Sequence, residues 1–345
     1  MYKVLLYRHG DWMYTQTAGN RGISPDGKYQ FLTHPDEVKE PDFVVVRNKN
    51  LPEEITFHVA PQNLILITSE PVSIIHFSQE YCAQFGCVCT SQTGISHPHV
   101  IKAPPMLPWY AGLDIIKGEM YPNFGYDELK KSPFPPKTKL LSVVTSNKAF
   151  TKGHQDRIYF VEKLKRHFGD KVDVFGRGFL DFNDKWEVLA PYQYHIVIEN
   201  STSPDYWTEK LKDPFLSGTL PFYHGCSNIG DYFPADSYIR VDIRDFERTV
   251  HTIEQAIEER EYEKRQPSLA RAKELVLDDY NMFNLLARFC DTLNPALPKQ
   301  DVTLRPAKEF FDGANAYNHL VKWNYYNFTY WLHRLLRRQS FINFE

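Results

Sequence analysis

The residues with chemistry to offer gather between Tyr192 and Gly225. A short apolar run, Ile196 to Ile198, ends in Glu199-Asn200-Ser201. Tyr206 and Thr208-Glu209-Lys210 follow, and a second apolar run, Leu220 to Tyr223, is closed by Gly225. An Asn, a Tyr, a Glu and a Lys drawn to one place can hold a nucleotide. The order strand, loop, helix, strand implies a parallel sheet with that loop at a strand's carboxyl edge. Open α/β sheets bind ligands at this edge, where unpaired N–H groups at helix N-termini favour anions.

Two charged residues elsewhere fit the same chemistry. Leu140 to Val144 reads as a strand ending in Thr145-Ser146-Asn147, and Ile158, Phe160, Val161, Leu164 and Phe168 recur at helical spacing from His154 to Phe168. Arg157 falls in the first turn of that helix, where its guanidinium fork suits a diphosphate; the plainer reading is a surface arginine. A strand from Val172 to Gly176 follows, and its glycine-rich end could let the backbone approach a ligand. Nearer the N-terminus, a buried strand from Phe43 to Val46 precedes another from Leu64 to Ile67, which runs into Thr68-Ser69-Glu70-Pro71. A carboxylate there sits where a general base could reach a cleft, against the plainer reading of a solvated loop; Glu80 is the fallback carboxylate. The chain has no Asp-x-Asp triplet to hold a divalent metal, so the charge of a bound diphosphate would fall to Arg157, Lys210 and helix N-termini.

The elements that position these groups need two cores. With 345 residues, 42% hydrophobic and 24% charged, the chain is expected to form two globular domains. A net charge of −3 gives no general case for binding nucleic acid. Aromatic residues reach 15%, which suits sugar stacking and thick cores alike. Cys82, Cys87 and Cys89 lack the close pair of a zinc site and read as reduced, partly buried thiols. Arg8-His9-Gly10 after the first strand, Tyr2 to Tyr7, matches a histidine-phosphatase triplet, but Trp12 stands where its Thr would be. Residues 11–40 read as irregular, and a proline-rich stretch from His97 to Pro136 reads as an interdomain connection. Past a short last strand, Tyr238 to Val241, helical patterns cover roughly 245–262 and 268–292.

From Phe310 to Leu336 apolar residues recur at helical spacing, with Trp323, Tyr330 and Trp331 beside Arg334, Arg337 and Arg338. Such a helix can pack back across both domains or lie on an anionic membrane surface. No opening signal segment is read, and no apolar run reaches the roughly 18 residues of a spanning helix.

The spaced block Tyr192, Tyr194, Glu199-Asn200-Ser201, Asp205-Tyr206, Thr208-Glu209-Lys210, Gly218, Pro221 and Gly225 resembles the signature of the family 10 glycosyltransferases, the α-1,3/1,4-fucosyltransferases. The segment from Phe233 to Asp242 and the Arg157 helix fit the same resemblance, while Pro214 departs from it and is expected to break or kink the helix that Ser203 or Thr208 caps. The resemblance implies a GT-B-like α/β fold: two Rossmann-like domains facing each other across a cleft, with C-terminal helices. Residues 1–136 would form the acceptor domain, 137–300 the nucleotide-sugar domain and 301–345 a helical tail. It further implies GDP-β-L-fucose as donor, no other cofactor, an acceptor oligosaccharide, and metal-independent transfer with inversion. By motif position Glu70 is the base, Arg157 and Lys210 meet the diphosphate, and Glu209 takes the ribose hydroxyls. Asn200 and Tyr206 lie near the fucose or its linking phosphate. Since such a membrane anchor as animal relatives carry is not read here, a cytoplasmic enzyme is expected, with peripheral contact at the inner membrane face through the C-terminal helix as an option. A transferase for another nucleotide sugar and a non-catalytic glycan-binding module stay open as alternatives.

Overall fold

The computed structural model describes residues 1–337. Its first half builds β1 (Tyr2–Leu6), β2 (Tyr29–Leu32), β3 (Phe43–Arg47), β4 (Ile55–Val59), β5 (Leu64–Ile67), β6 (Cys87–Thr90) and β7 (Val100–Lys102), with the short helix α1 (Gln79–Cys82). Six of these form one parallel sheet in the order β2-β1-β3-β5-β6-β7. Such a sheet must be covered on both faces. Phe43 and Val45 of β3 accordingly enter one core with Val4, Leu6 and Ile65, while Val44 and Val46 enter the opposite core with Leu5, Leu64 and Leu66. Residues 11–40, expected to be irregular, supply the edge strand β2; Tyr29 and Phe31 alternate inward and pair it in parallel with β1.

A connection carrying the hairpin β8 (Leu113–Ile116) and β9 (Glu119–Pro122) and helix α2 (Tyr126–Lys131) leads to the second sheet. There β10 (Lys139–Val144), β11 (Val172–Phe175), β12 (Tyr192–Ile198), β13 (Leu220–His224) and β14 (Ile239–Arg240) lie parallel in the order β11-β10-β12-β13-β14. Helix α3 (Lys152–Phe168) buries Ile158, Phe160, Val161 and Leu164 against this sheet. Helix α4 (Glu209–Ser217) crosses between β12 and β13. These two parallel, helix-covered sheets are the GT-B-like arrangement expected.

Four local outcomes differ from the sequence reading. Pro214 neither breaks nor ends α4, which runs on to Ser217 with Phe215 and Leu216 fully buried; Gly218 (φ 67°) caps it while the Thr219 N–H donates to the Pro214 carbonyl. Gly176 (φ 110°) serves a close approach within the chain, because a Cβ there would stand 1.9 Å from the Thr145 carbonyl oxygen. Helix α5 (Phe246–Glu258) forms, but the pattern over 268–292 is interrupted. After α6 (Glu261–Lys264), α7 (Gln266–Glu274) and a π turn, the chain leaves the helix at Tyr280 and restarts as α8 (Met282–Cys290), capped by Asn281. Finally, α8 packs Met282, Phe283 and Leu286 into the first sheet's core, and β15 (Gln300–Leu304) pairs antiparallel with β4.

The C-terminal segment runs through α9 (Gly313–Tyr317), a π turn and α10 (Asn324–Arg337). Its start is clasped to the first half, where Asp312 pairs with Lys49 at 2.9 Å and His76 at 2.8 Å. Farther on, Tyr330 packs with Ile158 and Ala149, and Phe150 meets Trp323 with ring centroids 4.7 Å apart. Tyr317, Leu320, Tyr325, Phe328, Trp331 and Leu335 remain exposed along the other side. Arg338 of the basic cluster lies outside the described residues. No helix among the described residues is long and apolar enough to cross a membrane.

Candidate active site

The site begins where β12 ends. Glu199 turns its carboxylate back into the protein, where it accepts from the Thr208 N–H (2.8 Å) and the Thr208 hydroxyl (2.8 Å). Thr208 is itself the N-cap of α4. Glu199, whose side chain is wholly buried, is thus a staple that fixes where Glu209 and Lys210 start. Asp205 anchors the neighbouring turn. It adopts a left-handed φ of 61°, donates its N–H to Asn228, and its carboxylate accepts from the Tyr232 hydroxyl at 2.6 Å. That turn places the buried Tyr206, whose hydroxyl is held protonated by burial and by the nearby charge of Glu199 and Glu70.

A band of charge results. Lys210 Nζ lies 3.4 Å from Glu209 and 3.5 Å from Glu199. Burial lowers the Lys210 pKa, but Glu209, Glu199 and Glu70 outweigh it and hold the ammonium above its ordinary value. On Glu209 burial works upward, and Lys210 and Lys185 overcome it to keep the carboxylate ionised. Lys185 is a member that sequence reasoning missed. It pairs with Asp213 at 2.7 Å and approaches Glu209 at 3.9 Å. Asp213, one turn along α4, also accepts from the Tyr110 and Ala111 N–H groups at 2.8 and 3.1 Å, tying the connection to this helix. Neither Lys185 nor Asp213 stands in a periodic pattern that would single it out.

The other wall is α3. Thr151 caps it through the His154 N–H, and Arg157 lies in its second turn rather than its first, 8% exposed. Arg157 donates to the Ser146 hydroxyl at 3.3 Å. Burial lowers its pKa to about 10, which leaves it charged at neutral pH. A cavity of about 220 Å³ opens here, lined by Thr145, Ser146, Arg157, Lys185, Glu209 and Lys210. Three buried polar atoms beside it, Thr145 Oγ1, His154 Nδ1 and Arg157 Nε, have no partner among the described residues. Burial, with the charges of Arg157, Lys148 and Lys210, drives the His154 pKa down to about 3. The ring is therefore neutral, and the field around it is positive. Buried polar groups left open in a positive cavity suit an anionic ligand with several acceptor oxygens.

Glu70 reaches this site from the first sheet. Its backbone is fixed on both sides: the Ser69 N–H donates to Asn48 Oδ1 at 2.7 Å, and Gln92 Nε2 donates to the Glu70 carbonyl at 2.6 Å. Its carboxylate lies in the field of Lys210 and Glu209. Burial raises its pKa, Lys210 pulls it back and Glu209 pushes it up again, leaving the carboxyl above its ordinary value. The structure therefore brings together Glu70, Arg157, Asn200, Tyr206, Glu209 and Lys210. Glu80 lies exposed in α1. His9 is held neutral, its pKa lowered to about 4 by burial and by Arg47. All five cysteines are free and buried, away from any such role.

Comparison with known proteins gives the arrangement a context. The family model for the C-terminal part of glycosyltransferase family 10 (fucosyltransferase) matches residues 134–264. The chain is 33% identical over 128 residues to the 4-galactosyl-N-acetylglucosaminide 3-alpha-L-fucosyltransferase 9 of Rattus norvegicus, covering 34% of each protein. It is 34% identical over 111 residues to the 3-galactosyl-N-acetylglucosaminide 4-alpha-L-fucosyltransferase FUT3 of Pongo pygmaeus, covering 31% of this chain and 28% of that one. The match thus spans about a third of the length of the curated relatives. A crystal structure of an alpha1,3-fucosyltransferase superposes with a TM-score of 0.48 at 16% identity, covering 86% of this chain and 91% of that chain.

Proposed function

We propose that the chain transfers L-fucose from GDP-β-L-fucose to a hydroxyl of an acceptor glycan, a reading supported by the match of residues 134–264 to the glycosyltransferase family 10 model. One observation carries this reading. The Glu70 carboxyl, reached from the first sheet, lies in the electrostatic field of Lys210 and Glu209 on the second. A carboxylate from one sheet thereby faces charged groups of the other, as the proposed base and donor-binding groups require.

In the proposed reaction the diphosphate lies against Arg157 and Lys210, and Glu209 accepts hydrogen bonds from the ribose hydroxyls. Asn200 and Tyr206 lie beside the fucose or its linking phosphate. The acceptor oxygen attacks the anomeric carbon as the bond to the β-phosphate oxygen breaks. The bonding pair leaves with GDP, and the acceptor proton passes to Glu70. A single displacement of this kind inverts the anomeric centre. With two cations beside the leaving group, the charge that builds there is met without a metal ion. The upward shift of the Glu70 pKa, caused first by burial, strengthens it as a base.

Mass spectrometry of GDP-fucose reactions over an acceptor array, repeated with Glu70→Gln, tests this. Fucosylated product with the intact chain, and product reduced by roughly 10²–10⁴ in the variant, is expected. Unchanged turnover in the variant removes Glu70 from the role. Release of sugar only from another GDP- or UDP-sugar would favour the same scaffold with a different donor. Calorimetry finding glycan affinity without nucleotide affinity would favour a binding module.

The exposed apolar stripe from Tyr317 to Leu335 supports a second element of the reading, that the C-terminal helix rests on an anionic lipid surface at the inner face of a membrane. Residues 313–342 contain Lys322, Arg334, Arg337 and Arg338 and no acidic residue. Co-sedimentation with phosphatidylglycerol vesicles but not phosphatidylcholine vesicles is expected, and no sedimentation with either removes the contact.

A further inference from the structure

Lys212 is a buried charge that the reaction above does not use. It follows Glu209 and Lys210 on α4 and is 2% exposed. Among the described residues it makes no ion pair. Its Nζ donates to the Leu107 carbonyl at 2.7 Å and the Tyr280 carbonyl at 3.0 Å, and stands 5.4 Å over the Trp207 ring. An ammonium held this way costs more to desolvate than a leucine or methionine filling the same space, so packing alone does not call for it. Its two acceptors lie where the chain passes between the sheets: Leu107 on the outgoing connection, Tyr280 just before α8 returns.

The outgoing connection is fastened along its length from Pro105 to Ala111. At its start the buried Ser69 hydroxyl, one residue before Glu70, donates to the Pro105 carbonyl at 3.0 Å. Met106 follows, buried and with a left-handed φ of 49°, a backbone that a non-glycine residue keeps only when contacts on both sides fix it. Leu107 then receives Lys212. Trp109 exchanges two hydrogen bonds with Gln16 of the first half, at 2.8 and 3.3 Å. At the far end the Tyr110 and Ala111 N–H groups both donate to Asp213, the residue after Lys212. A short path of hydrogen bonds therefore runs from Ser69-Glu70 through Pro105 and Leu107 to α4, the helix that begins with Glu209 and Lys210.

We propose that Lys212 is a positioning residue: by tying Leu107 to α4 it sets where the Ser69-Glu70 segment stands relative to Glu209 and Lys210. This rests on the transferase reading above and names a residue that shapes the same site. The test uses Lys212→Met, which keeps the length of the side chain without its donors, and Ser69→Ala, which cuts the other end of the path without touching α4. Hydrogen exchange read by mass spectrometry should show lost protection over residues 66–76 in Lys212→Met, with β12 protected as before. Retained protection over 66–76 overturns the proposal. This arm needs no turnover, so its outcome is separate from a failure of the chain to transfer fucose. In the transfer reaction each substitution should lower kcat roughly ten- to a hundredfold, since a displacement of about 1 Å at the reacting atoms can cost that much. GDP affinity by calorimetry should stay within roughly twofold of the intact chain, a change well under the tenfold that 1.4 kcal/mol represents. Because both substitutions cut one path, the double variant should lose no more than the worse single one. Losses that multiply overturn the proposal, as does GDP affinity that falls in step with kcat. Ser69→Ala removes no buried charge and decides the matter should Lys212→Met not fold: an unchanged kcat in that variant overturns the proposal.

Discussion

Glu70 and Lys210 set each other's charge across the cleft, and that coupling has a measurable sign. Burial and Glu209 hold the Glu70 carboxyl above its ordinary value, so as the proposed base it should lose activity on acidification sooner than an exposed glutamate would. The acid limb of kcat/KM is expected above the roughly 4.3 of an unperturbed Glu. A limb at or below that value would show that another group is titrating. For the diphosphate cations the expectation is steeper: Arg157→Ala or Lys210→Ala should each raise the barrier by about 2–4 kcal/mol, as loss of an oxyanion donor does. Steady-state kcat in the two variants checks it. At this scale much could be read in advance, because Asn200, Tyr206, Glu209 and Lys210 stand in one ordered block. Lys185, His154 and Asp213 could not, since each gains its meaning only when separate elements meet.

Helix α4 is held by its cap and by a carboxylate from another strand, not by propensity. Thr208→Val removes the N-cap and the hydroxyl hydrogen bond to the buried Glu199 carboxylate, leaving that carboxylate the Thr208 N–H and Lys210. A loss of about 1–2 kcal/mol in denaturant unfolding is expected, with weaker GDP binding because Glu209 and Lys210 start at that cap. Full GDP affinity in a destabilised variant would separate the cap from the site. The strand–loop–helix–strand order and its placement at a carboxyl edge were legible from the alternation of apolar runs and polar clusters. Passage of α4 through Pro214 was not. It depends on buried Phe215 and Leu216 and on the turn at Gly218, which are tertiary and terminal effects. The short edge strand β2 was hidden in the same way, because only two of its residues turn inward.

The whole molecule is two sheets joined by more than one crossing. Lys212, fully buried in α4, donates to Leu107 in the first connection and to Tyr280 just before the chain crosses back. Asn281 then caps α8 and donates to the Gln16 carbonyl at 2.7 Å. Since α8 covers one face of the first sheet, residues 1–136 alone expose that face and should show no cooperative unfolding transition. A sharp two-state melt of that fragment would show that α8 is dispensable. This return path could not be read in sequence, where 268–292 has one continuous apolar period; the break at Tyr280-Asn281 follows from partners far along the chain. The claim on which everything else depends is that Arg157 and Lys210 hold the charge of GDP. Calorimetric titration of GDP into the intact chain in EDTA, repeated with Arg157→Ala and Lys210→Ala, addresses it most directly. The account expects binding without added metal and at least a roughly tenfold loss of affinity in each variant, about 1.4 kcal/mol. Affinity untouched by both substitutions, or binding that returns only when a divalent metal is restored, would contradict it.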